Sequence, residues 1–154
     1  MIIQEYQETT DNLQLKAVAA IEAIVQPVDA WDEETLNELL VQGSYYLLLA
    51  VTETGEVVGY CLYQILFEQA EILRIGTHSD YQRQGIASQL FSALHETLMK
   101  NNVMQLMLEV RADNSAAINL YDRQGFKKIH CRKGYYQQPN LPSVDALILQ
   151  LSYQ

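Results

Sequence analysis

Three places in the chain carry residue types that could do chemistry at their spacing. The first reads Gln82-Arg83-Gln84-Gly85-Ile86-Ala87. It follows an apolar, strand-like run over residues 70–77 and a polar turn over residues 78–81. It precedes Leu90, Phe91, Leu94 and Leu98, which recur with Ile86 at helical spacing. Strand, polar loop and helix start in that order leave unpaired N–H groups and the positive end of a helix dipole at one spot, with a glycine where the backbone must come close to something. The stretch reads as a pyrophosphate cradle. Its glycine spacing fits neither the Rossmann fingerprint nor the Walker loop, and on these residues alone a helix start after a tight turn accounts for it as well.

The second is Glu109, a carboxylate near the end of the otherwise apolar run Leu106-Met107-Leu108-Glu109-Val110. In a strand it points away from the face that Leu108 and Val110 share. That face is either an ordinary solvated one or the lining of a cleft, where a carboxylate can serve as a general base. The third is the pair Asn114 and Tyr121, two helical turns apart and so on one helix face, with Ala117 and Ile118 between them. Small residues there let a ligand lie close to the helix. Tyr121 also reads as a core aromatic with a satisfied hydroxyl, the commoner role for such a residue. Other candidates carry less. His78 reads as a polar turn residue, and His95 and His130 lack partners at metal-ligand spacing. Cys61 and Cys131 make neither a disulfide framework nor a zinc site. No metal is expected. Lys127, Lys128, Arg132 and Lys133 could meet a phosphate but read better as a solvated strand face.

The elements that must position these residues follow from pattern and punctuation. Residues 2–6 form a short strand. Asp11 or Asn12 caps a helix that runs to about Val25 with Leu13, Ala17, Ala20, Ile21 and Ile24 as its apolar stripe, and Pro27 stops it. Asp32 caps a second helix, with Leu36, Leu39 and Leu40 facing inward and Gly43 at its end. Strands over 45–52, 57–67 and 70–77, joined by short turns at 53–56 and 68–69, make an antiparallel meander. The helix from Ile86 and a strand over 103–110 then imply a right-handed crossover with local parallel pairing. Asp113 or Asn114 caps the next helix and Gly125 ends it. Strands over 127–135 and 144–151 close the chain, separated by a Tyr-Tyr-Gln-Gln-Pro-Asn-Leu-Pro loop. The expected architecture is one mixed α+β domain spanning residues 1–154, without repeats or linkers.

Composition bounds the function. The chain has 154 residues, of which 49% are hydrophobic, enough for a real core and too apolar for disorder. No apolar run spans a bilayer and residues 1–5 do not read as a signal peptide, so a soluble, cytoplasmic protein is expected. The net charge of −9 makes direct nucleic-acid binding unfavourable. It suits a basic partner, although surplus Asp and Glu also simply aid solubility.

The first stretch resembles the acetyl-coenzyme A motif of the GNAT acetyltransferase superfamily, Gln/Arg-x-x-Gly-x-Gly/Ala. A second stretch is similar to one branch of it. Glu109-Val110-Arg111-x-x-Asn114, then Ala116-Ala117-Ile118, Leu120-Tyr121 and Gly125-Phe126 resemble the ribosomal-protein-alanine N-acetyltransferase (RimI-like) family, as do Asp80-Tyr81-Gln82-Arg83-Gln84-Gly85, Tyr135-Tyr136 and Asp145-Ala146-Leu147-Ile148-Leu149. The resemblance covers the chain from about Pro27 onward and is strongest over residues 72–126. It implies a GNAT fold, mostly antiparallel, with a parallel strand pair splayed around the coenzyme and helices on both faces. It implies acetyl-CoA as co-substrate, with Glu109 as proton acceptor and Tyr121 as proton donor. Coenzyme contacts fall on Ile75, Gly76, Thr77, Gln82, Arg83, Gln84, Gly85, Ile86, Ala87 and Asn114, and substrate contacts on Tyr135 and Tyr136. Relatives carry an aliphatic pair where this chain has Gly76-Thr77, and glycine there marks a bulge or a close backbone approach. Trp31 reads as a packing anchor. The implied acceptor is a protein N-terminal α-amine, a basic peptide or the N-terminal alanine of a small-subunit ribosomal protein, served by a monomer or weak homodimer. Alternatives are a lysine side chain or a small amine as acceptor, or an acyl-CoA-binding module without turnover.

The residue types suit that chemistry. An amine attacks a thioester only when neutral, and a protein α-amine (pKa about 8) needs a milder base than lysine (about 10.4). Glu109 could accept the proton, directly or through water. A free strand amide near Ile75 or Thr77 could face the oxyanion. Tyr121 could protonate the departing thiolate.

Overall fold

The computed structural model describes residues 1–153. Its elements are β1 (Ile2–Glu5), α1 (Leu13–Val25), α2 (Glu33–Leu40), β2 (Tyr45–Val51), β3 (Val57–Leu66), β4 (Gln69–Thr77), a 3-10 turn (Ser79–Tyr81), α3 (Ile86–Lys100), β5 (Gln105–Arg111), α4 (Ser115–Arg123), β6 (Lys127–Gln138) and β7 (Leu141–Ser152). The strands form one sheet in the order β1-β2-β3-β4-β5-β7-β6. Every pair is antiparallel except β4 with β5. The mixed class, the meander and the single parallel pair agree with the expectation.

β2 shows how the layers form. It is apolar on both faces, as a strand covered on both sides must be. Leu47, Leu49 and Val51 pack with Leu15, Val18 and Ile21 of α1 and Leu36 of α2. Leu48 and Ala50 pack with the α3 and α4 side. The stripe read from the sequence on α3 is the buried one: Ile86, Leu90, Phe91, Leu94 and Leu98, each contributing about 1.5–3 kcal/mol by burial. Asp32 caps α2 by accepting from the Thr35 N–H at 2.8 Å, and Asn114 caps α4 by accepting from the Ala117 N–H at 3.2 Å.

Two expectations are corrected. The inner face of α1 is Leu15, Val18, Ile21 and Glu22, while Leu13 and Ile24 are exposed. α1 is apolar on most sides, so periodicity discriminates poorly. Its facing is fixed by Glu22, whose carboxylate turns inward to the Tyr60 hydroxyl and the Trp31 N–H. The last loop is also far shorter than expected. β6 continues through Gln138 and β7 starts at Leu141, which leaves only Pro139 and Asn140 at the turn. Pro142 is tolerated because β7 pairs with β5 only from Ala146 onward, so this end of the hairpin has a free side.

His95 of α3 anchors the end of β7. Its Nδ1 lies 2.6 Å from the Tyr153 hydroxyl and its Nε2 lies 3.3 Å from Gln124 Oε1. The neutral ring serves both, accepting from Tyr153 and donating to Gln124. Desolvation, opposed in part by the Gln124 hydrogen bond, holds its pKa below the ordinary 6.5. The unfolded chain therefore binds the proton more readily, and stability falls as pH drops through and below the unfolded value. Thermal unfolding from pH 7.5 down to 5 is expected to show this loss in the wild type and a flatter profile in His95→Gln. Parallel profiles would refute it.

Candidate active site

The site is built by a break in the sheet. β4 pairs with β5 only from Gln69 opposite Gln105 to Ile72 opposite Leu108. On its other edge, β4 changes register with β3 between Tyr63 opposite Ile72 and Leu62 opposite Arg74, leaving Leu73 as the extra residue. Such a bulge bends the strand that carries it, and the two parallel strands part where it occurs. The resulting cleft of about 560 Å³ is lined from both faces of the sheet. Tyr121 reaches it from the α4 side. Val25, Pro27, Val28, Asp29, Glu109 and Tyr136 reach it from the side of α1. The opening thus passes through the sheet.

Free backbone groups line it. The His78 N–H donates to the Val58 carbonyl at 2.8 Å, which makes Gly59 and Thr77 a non-bonded antiparallel pair. By alternation, Gly76 and Arg74 bond to β3, while the amides of Ile75 and Thr77 turn toward the gap that β5 has left. The Thr77 carbonyl accepts from Gln82 Nε2 at 3.3 Å, tying the following loop to the strand end. Gly76 is a close approach, not the bulge: a Cβ there would lie 2.7 Å from the Tyr60 hydroxyl oxygen.

The loop from Gln82 to Gly85 winds with left-handed backbone at Arg83 (φ 63°) and Gly85 (φ 79°). Gly85 starts α3 with no side-chain cap. The first intrahelical bond runs from the Gln89 N–H to the Gly85 carbonyl at 3.0 Å. The N–H groups of Ile86, Ala87 and Ser88 are left as first-turn donors, the condition for an anion site. Gln82, Arg83 and Gln84 are exposed beside them. Asn114 lines the cleft, but its side-chain oxygen is taken by the α4 cap, leaving its NH₂ group for a ligand.

Glu109 lies on the face opposite Leu108 and Val110, as alternation requires. Its Oε1 accepts from the Tyr136 hydroxyl at 2.9 Å, and its Oε2 lies 3.7 Å from Arg132 Nη1. Burial, then the hydrogen bond to Glu109, pushes the Tyr136 phenol up, so it stays a donor. The Arg111 guanidinium carbon sits 5.1 Å from the centre of the Tyr136 ring. Tyr135 is exposed, edge-on to the Tyr136 ring at 5.3 Å between centroids, with Arg132 5.2 Å from its own ring. Tyr121 is buried in α4 and packs edge-on to Phe91 and Phe126. Burial pushes its phenol up to about 12, so it remains protonated throughout the neutral range and offers its hydrogen to the cleft.

Several residues of the site escaped the sequence reading. Arg74, on the strand bend, lines the cleft and pairs with Glu22, Asp29 and Trp31. A lone arginine inside a strand run with a glutamate on an apolar helix was the available signal. Arg132 joins the site instead of a plain solvated face. Glu71 lies beside Glu109 in an adjoining hollow of about 300 Å³, with Gln64, Met107 and Arg132. Partial desolvation, then the Glu109 charge, holds Glu71 above the usual carboxylate range.

The sequence matches the Acetyltransferase (GNAT) family over residues 12–126. It is 36% identical over 121 residues to the [ribosomal protein bS18]-alanine N-acetyltransferase of Escherichia coli K12, covering 79% of this chain and 80% of that one. The crystal structure of the ribosomal-protein-S18-alanine N-acetyltransferase from Escherichia coli superposes with a TM-score of 0.80 at 30% identity, covering 98% of this chain and 94% of that one. A GNAT family acetyltransferase from Elizabethkingia anophelis with acetyl-CoA bound shares the fold, with a TM-score of 0.76 at 19% identity and coverage of 98% and 97%.

Proposed function

The chain belongs to the GNAT acetyltransferase family, and from that premise we propose that it moves an acetyl group from acetyl-CoA to the α-amine of a protein N-terminus, that of a small-subunit ribosomal protein such as bS18. The observation that carries this reading is the opening through the sheet, with a protonated phenol on one side and a carboxylate on the other. The residues present fit the coenzyme. The unpaired amides at the start of α3 suit its diphosphate, the gap beside Ile75 and Thr77 suits its extended arm, and Tyr121 suits its sulfur. The bound thioester supplies an activated carbonyl.

This chain's own groups do the rest. The Ile75 amide offers a donor to the oxygen that gains charge as the nitrogen adds. Glu109 accepts the proton that the α-ammonium must lose. Tyr121 donates a hydrogen bond to the sulfur as it leaves. With its pKa near 12, complete transfer to a thiolate of about 8.5 is uphill, so the hydrogen bond carries most of the stabilisation. Tyr121→Phe is expected to lower kcat about tenfold with KM for both substrates nearly unchanged. A rise in coenzyme KM at constant kcat would reassign Tyr121 to binding.

The acceptor is expected to approach from the α1 side, between residues 26–29 and Tyr136, drawn by the net charge of −9. No helix among the described residues is long and apolar enough to cross a membrane, and we place the activity in the cytoplasm, performed by the chain as one domain. The test compares thiol release with a basic peptide beginning in free alanine against a blocked, lysine-containing version. Turnover is expected with the free amine alone. Turnover on the blocked peptide would move the acceptor to a lysine side chain. Bound coenzyme without thiol release to any amine would leave a non-catalytic binding module.

A further inference from the structure

We propose that Asp145 is a positioning residue for Tyr136 and, through it, for the Glu109 carboxylate; this rests on the assignment of Glu109 as proton acceptor. β6 and β7 are in regular register at Arg132 opposite Ala146, but the next pair is Tyr136 opposite Val144. β6 advances four residues while β7 advances two. The two extra residues form an excursion around Lys133, Gly134 and Tyr135. Gly134 takes a left-handed φ of 62°, and a Cβ there would sit 3.3 Å from Ser143 Oγ.

The side chain that holds this excursion is Asp145. Its Oδ1 accepts from the Gly134 N–H at 2.8 Å, and its Oδ2 lies 3.8 Å from the Cys131 thiol. Its own backbone carbonyl accepts from the Ala112 N–H at 2.9 Å, just beyond β5. Asp145 forms no ion pair among the described residues. It is half-buried and is devoted to backbone geometry. One residue therefore joins the end of the strand carrying Glu109 to the distortion carrying Tyr136.

The consequence is reach. β7 lies between β5 and β6, so Tyr136 must cross a strand to place its hydroxyl 2.9 Å from Glu109 Oε1. In unbroken register Gly134 would face Val144, and Tyr136 would lie two residues, about 7 Å, further along β7. It would then miss Glu109. Without the carboxylate the Gly134 amide loses its acceptor and the regular register competes.

The experiment measures kcat and KM for the alanine-initiated peptide, coenzyme affinity and Tm for Asp145→Ala and Asp145→Asn, each in the wild-type and Tyr136→Phe backgrounds. Asp145→Ala is expected to lower kcat about tenfold, the size of one hydrogen bond to a charged group, with coenzyme affinity unchanged. Asp145→Asn, whose amide oxygen still accepts from Gly134, should stay within about twofold. In the Tyr136→Phe background, Asp145→Ala should cost nothing further in kcat, although any loss in Tm persists. An equal loss of kcat in both backgrounds, or none in the wild type, overturns the proposal. If Asp145→Ala does not fold, Gly134→Ala strains the same excursion and must show the same dependence on Tyr136. A wild type that transfers nothing, or that is indifferent to Glu109→Gln, removes the underlying reading and the proposal with it. Additivity with Glu109 still essential removes the proposal alone.

Discussion

Glu109→Gln is expected to lower kcat for peptide acetylation by about 10²–10⁴-fold at neutral pH, the range for losing a general base. The substitution preserves shape, and its amide oxygen can still accept from Tyr136, so loss of proton affinity is isolated from loss of placement. The fold should tolerate it. The side chain is 27% exposed, and its ion pair with the half-exposed Arg132 spans 3.7 Å, a contact worth less than about 1 kcal/mol. Coenzyme affinity should be unchanged, because the cradle at Gln82–Ala87 lies at the start of α3, away from this carboxylate. The defect should also narrow as pH rises. An α-amine with a pKa of about 8 sheds its proton to solvent at pH 9, and the variant then needs its base less. Stopped assays of thiol release from pH 6.5 to 9, with calorimetric titration of the coenzyme, check all three points. A loss below about threefold would direct attention to Glu71, the neighbouring carboxylate in the adjoining hollow.

The chemistry of this site was more legible in the sequence than its shape. Asp32, Asn114 and the α3 stripe could be read because each rests on a local rule, a cap or a 3.6-residue period, that tertiary structure did not override. Glu109 could be read because a carboxylate in an apolar strand violates the pattern around it. The bulge at Leu73 could not: it arises from pairing on both edges of β4, and Leu73 is an ordinary strand residue. Tyr136 was named as a substrate contact from the resemblance alone. Its position against Glu109 depends on a register change in β6 that composition conceals, since Tyr-Tyr-Gln-Gln-Pro-Asn-Leu-Pro reads as a loop when Gly134 and Asp145 are considered apart. The misplaced face of α1 has the same origin. Glu22 looks like the solvent side of a helix until Tyr60, Trp31 and Arg74 are brought to it from three other segments.

That cluster yields the largest expected effect on stability. Glu22 is 1% exposed, and its Oε1 accepts from the Tyr60 hydroxyl at 2.5 Å while its Oε2 accepts from the Trp31 N–H at 3.0 Å. Arg74 Nε lies 3.3 Å from Oε2, an ion-pair contact without the alignment of a hydrogen bond. The guanidinium stacks 4.2 Å from the centre of the Trp31 ring, and its Nη2 donates to the Asp29 carbonyl at 3.1 Å. Burial, then Glu22, pushes the Tyr60 phenol well up, so it stays neutral and cannot share the charge. Arg74→Met thus strands a carboxylate in the core with two neutral donors, an expected cost of about 3–5 kcal/mol and a fall in Tm of roughly 10 °C. Adding Glu22→Gln should recover most of it, because the unpaired charge is gone and the amide can accept from the Trp31 N–H while its NH₂ donates to the Tyr60 hydroxyl oxygen. Denaturant titration of the four-member cycle measures this, and an Arg74→Met loss under about 1 kcal/mol would show that the pair contributes little. The doubly substituted protein separates stability from function. Its core is neutral again, but nothing ties Asp29 to β4, so residues 26–29 lose their tether along the cleft wall. Peptide KM should be raised in that variant while coenzyme affinity equals the wild-type value, because the ion pair borders the acceptor side of the opening and the cradle does not.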